Sequence, residues 1–270
     1  MKRKIISIYV WLFIWVTAPV LYLTAFLIWL STVLFDNRLR LLHQFGCFWA
    51  GLYFDVNPLW KIAISGKENI PPNQACIMVA NHQSMVDILV LYKLFVHFKW
   101  VSKKEVFRVP FFGWNMELNR YIKLDRGSRR SIAKMIKEAN ENLDIGNPVM
   151  IFPEGTRSAN GEIKKFKEGA FALALQSSVP IVPIVIMGTA GVIGKNPLFF
   201  HPNRRMQMHI LPAIDSDSFK EKDSALLTAK IQGLMEKELL NMKVEFSKQQ
   251  TAQFKPEQPN RRGAEIKTEL

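Results

Sequence analysis

The chain reads as an α/β protein: a mostly parallel central sheet flanked by helices, joined to an N-terminal membrane-anchoring helical hairpin. Two observations predict this. Short apolar runs of strand length recur between residues 61 and 211, and segments with helical spacing of their apolar residues lie between them. Strands alternating with helices favour a parallel sheet covered on its faces. Before this region, residues 5–35 hold no charged side chain, with Lys2, Arg3 and Lys4 on one flank and Arg38 and Arg40 on the other. The division that follows is 1–56 for the anchoring helices, 57–245 for the α/β domain, and 246–270 for a polar tail expected to be disordered and to carry no catalytic part.

The uncharged run is too long for a cleaved leader. As one straight helix it would rise about 46 Å, against a hydrocarbon core of roughly 30 Å. Pro19, near its middle, is expected to break it into two pieces. Positive charge at both ends favours both ends on the cytoplasmic side. A hairpin that dips into one leaflet fits these features, and a single tilted span is the rival. Trp11, Trp15, Trp29, Tyr9 and Tyr22 suit an interfacial position. Residues 39–56 extend the apolar region along the membrane surface.

The domain then unfolds in order. A first strand is expected over 61–65 and a turn over 66–73. A short apolar run covers 75–80, a helix 84–95, and a strand 98–102. Residues 110–113 (Pro-Phe-Phe-Gly) form a turn or helix entry. Residues 128–144 are the clearest amphipathic helix, with Ile132, Met135, Ile136, Ala139 and Leu143 on one face and Gly146 as a stop. Strands follow over 149–152, 181–187 and 206–211, with helices over 167–176 and 223–242.

Two cysteines, Cys47 and Cys76, give neither a disulfide framework nor a zinc spacing, and a reducing compartment fits them. His43, His97, His201 and His209 show no metal-ligand spacing and are read as structural or surface residues. No metal and no resident cofactor is expected. The net charge of +13 suits nucleic acid or an anionic membrane. The uncharged N-terminal run selects the membrane bilayer and argues against nucleic acid.

Two motifs carry chemistry. Residues 81–87 read Asn-His-Gln-Ser-Met-Val-Asp, and 152–158 read Phe-Pro-Glu-Gly-Thr-Arg-Ser; each follows a short apolar run of strand type. His82 falls on a strand-to-helix turn at the carboxyl edge of the sheet, where open α/β sheets bind ligands. Asp87, in the first helical turn, can reach back to the imidazole. A carboxylate on one ring nitrogen fixes the tautomer and leaves the other nitrogen free to take a proton. Asp87 also completes a Ser-x-x-Asp capping box with Ser84, and that role is open beside the first. Ser84 has no nucleophile-elbow context and is read as a helix cap, so no covalent intermediate on it is expected. In the second motif Gly155 lets the backbone approach a ligand, Thr156 offers a donor, and Arg157 offers a planar fork for phosphate oxygens. Glu154 would accept a hydrogen bond from a substrate hydroxyl or orient Arg157. A surface ion pair between Glu154 and Arg157 is the plainer alternative. Arg126, just before the helix at 128, is placed for an anion at a helix N-terminus, or belongs to a basic patch with Arg129 and Arg130.

These two motifs, with Tyr-Ile-Lys-Leu-Asp-Arg-Gly at 121–127 and Val-Pro-Ile-Val-Pro-Ile at 179–184, resemble the glycerolipid acyltransferases, in particular bacterial 1-acyl-glycerol-3-phosphate acyltransferases. The resemblance runs from about residue 60 to about 215. It implies transfer of a fatty acyl group from acyl-CoA or an acyl-carrier protein to the free hydroxyl of lysophosphatidic acid, or of another lysophospholipid, on the cytoplasmic face of a membrane such as the bacterial inner membrane. It implies His82 and Asp87 as the catalytic base pair and Arg126, Glu154, Gly155, Thr156 and Arg157 around the acceptor phosphate. It also implies Lys103, with Lys104 competing, as an oxyanion or acyl-donor contact. The block at 179–184 is expected to shape an acyl or acceptor wall.

Overall fold

The computed structural model describes residues 2–158, 160–193, 200–201, 204–215 and 223–253. Two helices come first, α1 (Lys2–Thr32) and α2 (Arg40–Asp55). The domain follows as β1 (Trp60–Ser65), β2 (Ile77–Ala80), α3 (Val86–Tyr92), β3 (Lys99–Lys103), α4 (Phe112–Leu118), β4 (Ile122–Leu124), α5 (Arg129–Asp144), β5 (Val149–Ile151), α6 (Gly169–Ser177), β6 (Ile181–Met187), β7 (Arg204–Ile210) and α7 (Ser224–Gln253). The seven strands form one sheet in the order β1-β7-β6-β2-β5-β3-β4. Every pairing is parallel except β6 with β7.

Alternation along β2 shows how the layers are built. Successive strand side chains point to opposite faces. Ile77 and Val79 pack with Met135 and Ala139 of α5, Phe171 of α6 and Leu227, Ile231 and Met235 of α7. Met78 and Ala80 pack with Cys47 and Phe54 of α2 and Val86, Val90 and Leu91 of α3. Both faces are covered, so all four residues of β2 are buried, which is why the strand reads as a continuous apolar run. α5 starts where expected: the Ser128 hydroxyl accepts the Ser131 N–H, and Gly146, at φ 81°, ends the turn beyond it.

Three expectations change. The helix break at Pro19 does not occur, and α1 runs through it. Ala18 beside it is fully buried against a cluster with Leu42, Trp49 and Tyr53 of α2, so packing on both sides of Pro19 holds the helix in line. The hairpin is made by α1 and α2 instead. Its two legs meet antiparallel, with Thr17 hydrogen-bonded to Tyr53, and its turn lies at residues 33–39. Second, β6 lies inside the sheet with all seven residues buried. The block at 179–184 is therefore core and backbone pairing rather than a ligand wall; the Pro180 and Pro183 carbonyls accept from Ile77 and Leu211. Third, α7 continues to Gln253, past the point where the tail was expected to begin; residues 254–270 lie outside the described residues.

The 4–32 part of α1 is long and apolar enough to cross a membrane. One side of it seats on the domain, where Trp11 meets Phe200 and Tyr22 meets Phe111 and Trp114. The other side leaves Leu12, Val16, Val20, Leu23 and Leu27 more than half exposed. At the hairpin turn Arg38 donates to the Gly146 carbonyl and to Asn147 Oδ1.

Candidate active site

Asn81 prolongs β2 beyond its last residue. Its side chain donates to the Ile186 carbonyl at 2.9 Å and accepts the Ile186 N–H at 2.7 Å. This mimics one more rung of the sheet and fixes the start of the turn that carries His82. Gln83, also buried, donates to the Gly161 carbonyl and accepts from the Thr189 hydroxyl, tying the turn to two further loops.

Within the turn, Asp87 Oδ2 accepts three bonds: from Nδ1–H of His82 at 2.8 Å, and from the N–H groups of Gln83 and Ser84 at 2.6 and 2.8 Å. The carboxylate is fully buried. Both open readings of Asp87 thus hold in one atom: it orients the imidazole and it reaches back to the Ser84 N–H as a capping residue does. The helix itself starts two residues later than expected, at Val86, whose N–H contacts the Ser84 hydroxyl at 3.4 Å. With Nδ1–H committed to Asp87, Nε2 is the basic nitrogen. It has no hydrogen-bond partner among the described residues, and the side chain keeps 12% of its surface exposed. Phe152 lies flat on the imidazole, with centroids 4.0 Å apart and planes 14° apart, and Trp100 stacks on Phe152 in turn.

The second motif grips the first through the backbone. The His82 N–H donates to Glu154 Oε1 at 2.8 Å, and the Ser158 N–H donates to the His82 carbonyl at 2.7 Å. Glu154 Oε2 accepts the Lys164 N–H at 3.1 Å. Each oxygen of Glu154 thus accepts one backbone N–H, and the residue is 3% exposed. It braces the two motifs together. It makes no ion pair with Arg157. Burial raises its pKa to about 7, against the lowering effect of the two N–H donors.

Gly155 turns the loop at φ 67°, a conformation that suits glycine, and Lys167 lies across it. Thr156 and Arg157 are exposed. The Arg157 guanidinium has no partner among the described residues, while its carbonyl accepts from Lys164 Nζ. Lys164 and Lys167 were not singled out in the sequence. The spacing Lys-Lys-Phe-Lys at 164–167 was the available signal, and only the fold shows that it returns to the loop.

The sheet order sets which residues meet. β2, β5, β3 and β4 are neighbours and run in the same direction. Their carboxyl ends present, in this order, His82, Arg157, Lys103 and Arg126. Adjacent strands lie about 4.8 Å apart, so the strand that leads to Arg157 adjoins the strand that leads to His82, while the strand that leads to Arg126 lies three strands, roughly 14 Å, from it. Lys103 faces Glu105 at 3.4 Å and Lys104 pairs with Asp125. No group of three His, Cys, Asp or Glu that could hold a metal occurs among the described residues.

The comparisons with known proteins bear on the same region. The family model described as Acyltransferase matches residues 61–187. A chloroplastic 1-acyl-sn-glycerol-3-phosphate acyltransferase of Brassica napus is 37% identical over 66% of this chain and 52% of its own length. The chain thus spans about half of the first curated relatives it matches. A 1-acyl-sn-glycerol-3-phosphate acyltransferase of Borreliella burgdorferi is 30% identical over 68% of this chain and 74% of its own length. The fold is that of the crystal structure of the 1-acyl-sn-glycerophosphate acyltransferase of Thermotoga maritima, with a TM-score of 0.74 over 90% of this chain and 96% of that one, at 24% identity. A histidine–aspartate base on a strand-to-helix turn, braced by an arginine loop within the matched region, accords with this kinship: the chain belongs to the acyltransferase family.

Proposed function

We propose that the protein transfers a fatty acyl group from an acyl thioester, acyl-CoA or acyl-carrier protein, to the free hydroxyl of lysophosphatidic acid, making phosphatidic acid. The observation that carries this reading is the open Nε2 of His82, backed by Asp87, one strand away from the unpaired guanidinium of Arg157. The acceptor's hydroxyl gives its proton to Nε2 as its oxygen bonds to the thioester carbon. The tetrahedral intermediate then expels the thiolate, and the proton on the imidazolium goes to the departing sulfur. Asp87 keeps its charge throughout and stabilises the imidazolium. Arg157 holds the phosphate and so sets the hydroxyl against the base; Lys164 and Lys167 add positive charge to the same loop.

The names of the relatives support this substrate, and the apolar face of α1 supports work at a membrane surface; the positive charge on both flanks of residues 5–35 supports a catalytic edge on the cytoplasmic side. The test is the purified full-length protein in micelles with an acyl thioester. Thiol release that requires lysophosphatidic acid, with phosphatidic acid identified by mass, is the expected result. Thiol release that ignores the acceptor, or a stronger response to a neutral lysophospholipid, would overturn it.

A further inference from the structure

The amino edge of the sheet, opposite the catalytic turn, carries a cavity. It has a volume of about 400 Å³ and opens between the start of β3, the turn from α4 to β4, and one face of α5. That volume lies within the range of small-molecule sites. Asn147 lines it, and Phe152 of the catalytic loop is five residue steps further along the chain, roughly 16 Å if extended.

Lys99 forms part of the cavity wall, with only 2% of its surface exposed. Its ammonium donates to one acceptor, the Asn119 carbonyl at 2.9 Å. An ammonium has three hydrogens to place, and no carboxylate pairs with Lys99 among the described residues. A buried cation without a close ion-pair partner is costly. Burial, and after it the charge of Arg120, lowers the Lys99 pKa to about 7, with the more distant Asp36 carboxylate opposing the shift and Arg38 adding to it. Arg120 stands at the mouth, exposed and in the left-handed region at φ 52°, with no ion-pair partner among the described residues. The other lysines of the wall are neutralised: Lys123 pairs with Glu117, and Lys134 with Glu138 at 3.5 Å. The remaining carboxylate of the rim, Glu141, faces Lys137 at 3.8 Å. Two basic groups thus lack an ion-pair partner among the described residues, an amine in the wall and a planar fork at the mouth.

We propose that this cavity is a second, non-catalytic site for a compact phosphate-bearing anion, with Lys99 and Arg120 as its ligands. An ammonium and a guanidinium together suit an oxyanion with several acceptor oxygens. The phosphate comes from a soluble phosphomonoester or from a lipid headgroup. The site also touches the hairpin, because Asn147 Oδ1 accepts Arg38 of the α1–α2 turn at 2.7 Å as well as His97 at 3.0 Å.

The experiment titrates the full-length protein in neutral-detergent micelles by calorimetry. The probes are inorganic phosphate, glycerol 3-phosphate and the micelle-soluble dihexanoyl phosphatidic acid. All titrations are run in an Arg157→Ala background, which removes the loop's own anion ligand. Binding of at least one probe should persist there and weaken tenfold or more on adding Lys99→Met or Arg120→Gln. Binding of the soluble probes assigns the source to solution, and binding of the short-chain lipid alone assigns it to a headgroup. Arg120→Gln alters an exposed residue and keeps the test valid should Lys99→Met fold poorly. Binding unchanged in both variants, or no binding of any probe in the Arg157→Ala background, overturns the proposal.

Discussion

Glu154 and His82, far apart in the chain, are joined by a hydrogen bond from the His82 N–H to the Glu154 carboxylate at 2.8 Å. The base is thereby positioned from both ends of its residue: Asp87 holds the ring, and the second motif holds the backbone. Burial lifts the Glu154 pKa from 4.5 to about 7. In the unfolded chain the carboxyl loses its proton near 4.5, and in the folded chain only near 7. Folded protein therefore binds more protons across that window, and this group's contribution to stability falls as pH rises from about 4.5 to 7, then levels off. Glu154→Gln should flatten that slope in urea titrations. It should also cost about 1–3 kcal/mol, because an amide cannot accept both N–H donors. An unchanged slope in the variant would show that Glu154 titrates normally.

His82→Ala should lower turnover by about 10²–10⁴-fold and leave thermal stability close to that of the parent. Asp87→Asn should lose comparable activity and also stability, since the Gln83 and Ser84 N–H groups share its oxygen. Turnover measured beside melting temperature separates the two. An Asp87→Asn variant as stable and as active as the parent would remove the orienting role.

For Arg157→Ala the loss should fall on the acceptor. A charge-assisted bond is worth about 1.5–3 kcal/mol, or roughly 10- to 150-fold in kcat/KM, mostly through a raised acceptor KM with the donor spared. Arg157→Lys should recover only part of it. Arg126→Ala, three strands from the base, should have a smaller effect on acceptor KM than Arg157→Ala. Equal effects would mean that the acceptor phosphate reaches across the whole edge.

Leu12, Val16 and Leu23 lie on the exposed side of α1. Lysine at all three should leave the fold intact and weaken retention on lipid vesicles, since a charge deep in a bilayer costs about 2.5–3.5 kcal/mol on insertion scales. Vesicle flotation of parent and variant reads this directly, and equal flotation would move membrane attachment away from α1.

Much of this was legible in residues 60–215. The order of strands and helices follows from short apolar runs and from the 3.6-residue spacing of Ile132, Met135, Ile136, Ala139 and Leu143. The turn that carries His82 could be placed because Ala80 ends one pattern and the next begins a few residues on. The backbone partners of Glu154 were not legible: a carboxylate next to an arginine suggests a local ion pair as the plainer reading, and the partners it has are N–H groups that only tertiary packing brings near. Pro19 was misread: proline's cost to an isolated helix is local, and the packing of Ala18 that offsets it is not. The cavity around Lys99 gave no sequence signal, because a lysine at the start of a strand reads as a surface residue until the turn from α4 to β4 closes over it.

β2 is the fourth of seven strands, buried on both faces, and the catalytic turn hangs from its end. In proteins the backbone that resists transient opening longest is that of the central core elements. Amide exchange with deuterated solvent should accordingly be slowest at Met78, Val79 and Ala80, and reach those positions only through opening of the whole domain. Mild heating will then not silence this protein by fraying its chemical centre first. Activity should survive until the cooperative melt and vanish with it, so the temperature limit of the reaction and that of the fold are one and the same.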